Sequence, residues 1–227
     1  MEYQQVIPGR FLARPNRFIA HVEVGGEIVV AHVKNTGRCR ELLIPGAPVY
    51  LQPAENPARK TLYDLIAVEK GPLLINMDAQ APNKVFAEWA RAGGIPGLTL
   101  LRGETVWGSS RFDFYWETKA EKGFVEVKGV TLERDGAAYF PDAPTLRGVK
   151  HLKELTAARQ QGYRTAVCFV IQMTGVQFFA PNDETHPEFG DTLRMAARSG
   201  VEVWAYDCRV APGSLAMAAP VPVRLTP

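Results

Sequence analysis

Sulfur and histidine are scarce in this chain. Its three cysteines, Cys39, Cys168 and Cys208, stand far apart with no C-x-x-C pair, and only four histidines are present. This excludes a disulfide framework and the usual zinc spacings, and predicts reduced, mostly buried thiols. A dominant charge is lacking too. With 26 Lys and Arg against 24 Asp and Glu, the formal charge is +2, so phosphate binding would have to come from local clusters rather than from bulk attraction. No run approaches the roughly eighteen apolar residues of a membrane span, and MEYQQVIPGR does not have the basic-then-apolar pattern of a secretory leader. A cytoplasmic protein without membrane contact is expected. Internal repeats, low-complexity tracts and long linkers are also missing.

What is present is a globular composition: 46% hydrophobic and 22% charged over 227 residues, enough for one large domain or two small ones. Residues 9–76 read as short strands. FIAHVEV and EIVVAHV are joined by Gly25-Gly26, which supply the positive φ angles of a tight hairpin. Pro45-Gly46 and Gly71-Pro72 punctuate the runs that follow. Five or so strands at this spacing predict an OB-like β-barrel.

The second half reads differently. APNKVFAEWARAGG has helical spacing at Val85, Phe86 and Trp89 and ends at a glycine pair. Three apolar runs follow, near 104–108, 111–116 and 124–130. LRGVKHLKELTAARQQG then carries Val149, Leu152, Leu155 and Ala158 on one helical face. RTAVCFVIQ suits a strand buried on both faces, HPEFGDTLRMAARSG a helix, and VEVWAYD a last strand. The tail beyond Asp207 is expected as an extended edge or loop. The order α-β-β-β-α-β-α-β predicts a mixed-sheet α/β domain, with the boundary near residue 80: 1–80 an OB-like domain, 81–227 an α/β domain.

Charge collects in three clusters: Arg10, Arg14 and Arg17; Lys34, Arg38 and Arg40; and Arg147, Lys150 and Lys153. Each is a solvated surface or a phosphate contact, depending on whether the clusters share a face.

The stretch SSRFDFYWETKAEKGFVEVKG concentrates the chemistry. Strict alternation puts Phe112 and Phe114 on one face of their strand and Arg111, Asp113 and Tyr115 on the other. In the next strand Val125 and Val127 oppose Phe124, Glu126 and Lys128. A register pairing Asp113 with Glu126 also pairs Phe112 with Val127 and Phe114 with Val125, so one register serves both layers. Adjacent carboxylates repel unless a proton or cation lies between them. Two carboxylates with waters and a substrate phosphate suit Mg²⁺ or Mn²⁺, and Lys128 would orient water or neutralise a phosphorane-like transition state. The competing reading is an exposed hairpin with weak surface ion pairs.

Asp, twelve residues, then Glu-x-Lys, flanked by helices, resembles the PD-(D/E)xK nuclease core, although Phe112 stands where proline would precede the aspartate. That resemblance implies Asp113, Glu126 and Lys128 as catalytic residues, with Glu88 of the first helix joining Asp113 and Glu126 around the metal. HVKNTGRCRELLIPG, YFPDAPTLRGVKHLKEL, GSSRFDF and VEVKGVTL together resemble the sugar fermentation stimulation protein A family across nearly the whole chain. The family resemblance implies an OB-like domain joined to a nuclease-like one, DNA binding, and a link to the regulation of sugar (maltose) metabolism.

In these segments Asn35, Thr36, Gly37 and Arg38 form either a phosphate-binding turn or an Asx-type turn with a surface arginine. Thr145 is placed to cap the following helix. If the loop before it lies over the meander, Asp142 becomes a further metal ligand or water positioner and Arg147 a phosphate clamp. Arg111 shares the charged face of Asp113. His151 is the histidine best placed for function, with a structural role equally open. Trp89, Trp107 and Trp116 are expected in cores or interfaces. Two functions follow, a DNA-binding protein with a metal-dependent phosphodiesterase site or a non-catalytic DNA-binding regulator retaining the fold. A third is a binder of small nucleotides or carbohydrate derivatives. The oligomeric state is open, a homo-oligomer included.

Overall fold

The computed structural model describes residues 1–227 apart from Thr36, Glu55, Pro57 and Pro227. The first six strands are β1 (Ile7–Asn16), β2 (Ile19–Val24), β3 (Glu27–Val33), β4 (Pro48–Pro53), β5 (Tyr63–Lys70) and β6 (Leu73–Asn76). They run in the order β3-β2-β1-β4-β5-β6, and an added β3–β5 pairing closes the first five into a barrel. The β2–β3 hairpin turns on Gly25 and Gly26, both at positive φ (59° and 88°), where side chains bearing a Cβ are rarely tolerated. Alternate residues such as Val22, Ala31, Val49 and Leu51 fill the interior.

Helix α1 (Ala81–Trp89) follows and ends in a π-helical turn, Ala90–Gly94. Next come β7 (Leu100–Trp107), β8 (Ser110–Glu117), β9 (Lys122–Val130), β10 (Leu132–Arg134), β11 (Ala137–Phe140), α2 (Leu146–Gln160), β12 (Arg164–Ile171), β13 (Phe178–Pro181), α3 (Pro187–Arg198), β14 (Glu202–Ala211) and β15 (Ser214–Pro220). The main sheet runs β15-β14-β12-β9-β8-β7. Within it β12 lies parallel to β9 and β14, whereas β7, β8 and β15 pair antiparallel. As expected, β12 is buried almost throughout and the segment after Asp207 forms an edge strand.

A second, small sheet, β10-β11-β13, was not foreseen, because its strands are only three or four residues long and β11–β13 is a parallel, non-local pair. Asn182 Nδ2, just beyond β13, donates to the Pro141 carbonyl at 2.9 Å and ties down the loop that leads into α2.

One apolar core runs from the barrel residues Phe11 and Leu51 to Phe169 and Phe189 of the mixed-sheet half, and a second lies beneath α1. Where the halves meet, the Asn76 N–H donates to the Gln172 carbonyl (2.9 Å), and Gln172 Nε2 donates to Asn76 Oδ1 (2.9 Å) and to the Asp78 carbonyl (3.1 Å). These bonds satisfy groups that burial would otherwise leave unpaired. All three cysteines are free and buried. Among the described residues no helix is long and apolar enough to cross a membrane.

Candidate metal and phosphate site

Strand β9 lies at the centre of the main sheet, hydrogen-bonded to β8 on one side and β12 on the other. Both faces are covered, so Glu126 is only 2% exposed. The β8–β9 pairing has the predicted offset, with Phe114 opposite Val125, but the ladder ends at that pair. Beyond it the Asp113 side chain replaces the backbone: Oδ2 accepts the Val127 N–H at 2.8 Å and Oδ1 accepts from Asn83 Nδ2 of α1 at 3.1 Å.

Strict alternation in β8 breaks at this point. Phe112 packs against Phe124 (5.0 Å between centroids), while Phe114 packs against Phe86 of α1 (5.0 Å). The two phenylalanines therefore enter different cores, and the expected Phe112–Val127 pair does not form. With an apolar layer on each side of the sheet, alternation in the sequence did not reveal the switch.

Helix α2 completes the site from above. Its N-cap is Thr145, as expected, whose Oγ1 accepts the Gly148 N–H at 3.0 Å. The helix lowers His151, 4% exposed, onto Glu126. His151 Nδ1 is hydrogen-bonded to Glu126 Oε1, and Lys128 Nζ donates to the same oxygen at 2.6 Å. Arg147 Nε donates to His151 Nε2 at 3.3 Å, so Nε2 is the acceptor and Nδ1 carries the hydrogen directed at Glu126.

With both donors on Oε1, Glu126 Oε2 is buried and without a partner. Burial pushes the Asp113 carboxyl above the ordinary aspartate range, and the Glu126 charge adds to the shift. Burial acts in the same direction on Glu126, but the bonds from His151 and Lys128 outweigh it and hold this group below the ordinary glutamate range. One carboxylate is thus strongly favoured as the anion, and its neighbour is charged at a cost.

The remaining predicted residues are dispersed. Glu88 is not at the site: its carboxylate takes the Met1 amine at 2.6 Å on the exposed side of α1. Asn83 is the residue that α1 directs at Asp113. Helical spacing does not separate the two, since Asn83 lies three residues before the buried Phe86 and Glu88 three after the buried Val85. Arg111 pairs with Glu104 at 3.2 Å on the surface.

Asn35 Oδ1 accepts the Gly37 N–H at 2.8 Å, an Asx-type turn. Asp142 sits against Gly37, and with Asn35 it lines a small cavity of about 100 Å³ beside Gly129 and Gln172. Arg38 lies in a separate groove with Arg14, Arg17 and Arg40. Thr36 lies outside the described residues. The tryptophans are packed as expected: Trp116 is fully buried, Trp89 rests on Tyr206, and Trp107 stacks on Phe112.

Among the described residues no group of three or more His, Cys, Asp or Glu side chains is gathered for a metal. A dedicated all-protein cage is therefore not built. What remains is a pair of carboxylates that interact electrostatically, Asp113 and Glu126, the latter with Oε2 free. That is compatible with a hard cation held by one or two carboxylates and completed by waters and a substrate phosphate.

A closed five-stranded barrel followed by a mixed sheet, with α1, β7–β9, α2 and β12 in αβββαβ order, defines an OB-barrel protein with an appended α/β unit. Residues 12–77 match the family model described as the SfsA N-terminal OB domain, and residues 80–214 that of the sugar fermentation stimulation protein RE domain. The sugar fermentation stimulation protein homolog of Ruminiclostridium cellulolyticum is 54% identical over 226 residues, covering 99% of this chain and 100% of that protein. The homolog of Desulfitobacterium hafniense strain DSM 10664 / DCB-2 is 55% identical over 215 residues, covering 95% and 94%. Among solved structures, Pyrococcus furiosus SfsA in complex with Ca²⁺ is 30% identical, superposes with a TM-score of 0.90, and covers 99% of this chain and 98% of that one. The chain belongs to the sugar fermentation stimulation protein A family.

Proposed function

We propose that the chain binds nucleic acid, DNA foremost, and hydrolyses phosphodiester bonds with Mg²⁺ or Mn²⁺ at Asp113 and Glu126. The observation that carries this is the buried, unpartnered Glu126 Oε2 close to an Asp113 whose ionised form is disfavoured. A cation would relieve both features. The Pyrococcus furiosus relative, solved with Ca²⁺, supports a divalent-ion site in the family. A bound ion would acidify a water molecule and neutralise charge on the departing oxygen.

The chain's own groups do the rest. His151 and Lys128 fix Glu126 by one oxygen and leave the other available. Asn83 and the Val127 N–H fix Asp113. Lys128 would orient the attacking water, and Arg147, exposed at the start of α2, would hold a phosphate. A role in sugar metabolism comes from the family's name and not from a feature of the site.

The test is to incubate the purified protein with labelled single- and double-stranded DNA and RNA, in Mn²⁺ or EDTA, beside folded Glu126→Ala. Cleavage by the parent protein in Mn²⁺ only, lost in the variant, is the expected result. Equal cleavage by Glu126→Ala removes this site from the mechanism. Binding in EDTA with no cleavage of any polymer in Mn²⁺ leaves a non-catalytic DNA-binding protein with a nuclease-like fold.

A further inference from the structure

The basic clusters do not have equal fates. Arg10 is paired with Glu23, Lys34 with Asp78, and Lys153 with Glu188. A groove of about 390 Å³ on the barrel stands apart: its lining includes Arg14, Arg17, Arg38 and Arg40 and no carboxylate. The groove is built rather than incidental. Arg14 donates through Nη2 to the carbonyls of Arg17 and Asn35 (both 2.8 Å), and through Nη1 to those of Gly37 (3.0 Å) and Arg38 (2.7 Å). One guanidinium thus fastens the β1–β2 turn to the turn after β3. Arg17, Arg38 and Arg40 are exposed around it.

Next to Arg17 on the β1–β2 turn, Phe18 is 43% exposed, and the Arg17 guanidinium lies 4.8 Å from its ring centroid. An exposed ring backed by a cation, at the edge of an arginine-lined groove, suits a base lying on the ring while the arginines follow its phosphates. A duplex keeps its base faces stacked on one another and cannot offer one to Phe18, whereas a single strand can. In OB-folds the β1–β2 loop is among the elements that meet oligonucleotides.

We propose that this groove binds single-stranded nucleic acid, with Arg17, Arg38 and Arg40 on the phosphates and Phe18 stacked on a base. The proposal rests on the nucleic-acid-binding part of the preceding section and specifies its substrate. The turn at Gly37 lies against Asp142, in the loop that leads to Arg147 and α2.

The experiment measures anisotropy of fluorescein-labelled oligothymidylate and of a matched duplex against the full chain in EDTA, over a range of salt. The single strand should bind more tightly. The triple variant Arg17→Ala/Arg38→Ala/Arg40→Ala should lower the slope of log K against log salt by about 2, at about 0.7 for each phosphate contact. Phe18→Ala should weaken binding by roughly 5- to 150-fold, the range of one lost base stack, while Phe18→Trp retains it. An unchanged slope in the folded triple variant, tighter binding of the duplex, or an unaffected Phe18→Ala overturns the assignment. EDTA separates the two proposals. Binding as described without cleavage in Mn²⁺ removes the nuclease and keeps the groove, and cleavage by a protein whose triple variant binds normally does the reverse.

Discussion

Replacing His151 by leucine tests whether Glu126 is held as an anion inside the sheet. His151 is 4% and Glu126 2% exposed, and a hydrogen bond from a neutral donor to a charged group typically contributes about 1.5–3 kcal/mol. Lys128, which donates to the same Oε1, remains to hold the charge, so the expected loss is about 2 kcal/mol. Leucine fills similar space, so little of the loss comes from a cavity. Arg147 is exposed and recovers its hydrogen bond from water. For a chain of this size the loss corresponds to a fall of about 4–8 °C in Tm.

The assay is thermal and urea unfolding in EDTA, run with Glu126→Met and the double variant as a cycle. The double variant should be more stable than the sum of the two single losses predicts, by a coupling of about 1–2 kcal/mol. The sign with pH is set by Glu126, whose pKa is lowered on folding. Its stabilisation is complete above the unfolded glutamate value of about 4.3 and is lost as pH falls through the folded value. The gap between parent and His151→Leu should therefore be constant from neutral pH down to about pH 5 and close below about 4.3. A gap under about 1 kcal/mol at pH 7, or no coupling, would refute the reasoning.

Asp113 has the opposite linkage. Its folded pKa is raised, so its ionised form destabilises the metal-free protein above the unfolded value of about 3.9. Asp113→Asn should melt higher than the parent in EDTA at pH 7, by a margin that shrinks towards pH 4, and should lose any Tm rise on adding Mn²⁺; a lower Tm at pH 7 contradicts the assignment. Gly123→Ala would drive a Cβ into the Arg164 backbone carbonyl and to 2.9 Å from the Trp116 ring, between β9 and β12. A loss of about 3 kcal/mol is expected by urea unfolding, and a change under about 0.5 kcal/mol would show that the two strands can separate to admit a methyl group.

Local physics carried much of the fold. Gly25-Gly26 announced the β2–β3 turn because only glycine adopts such angles freely, and the apolar spacing of Val85 to Trp89 and of Val149 to Ala158 marked α1 and α2. The offset of β8 on β9 followed from matching two short apolar sets. These features depend on residues close in sequence, or on a single two-strand match. Where several elements meet, the sequence alone went astray or fell silent. Glu88 looked like a ligand by type, but α1 lies on the sheet by its Phe86 stripe and turns Asn83 inward instead. His151 sits four residues before the buried Leu155, so helical spacing pointed it inward, but its partner Glu126 belongs to another element.

The sequence by itself determined a five-stranded β unit followed by an αβββαβ unit, and the aspartate, glutamate and lysine that share one hairpin. Tertiary structure alone decided three things: that Asp113 leaves the ladder to take the Val127 N–H, that α2 lowers His151 onto one oxygen of Glu126, and that Arg14 fastens two turns beside an arginine-lined groove. The reason is burial. A carboxylate or guanidinium is ambiguous in sequence because in water it is satisfied anywhere, and it becomes selective only where packing removes the water and leaves specific partners.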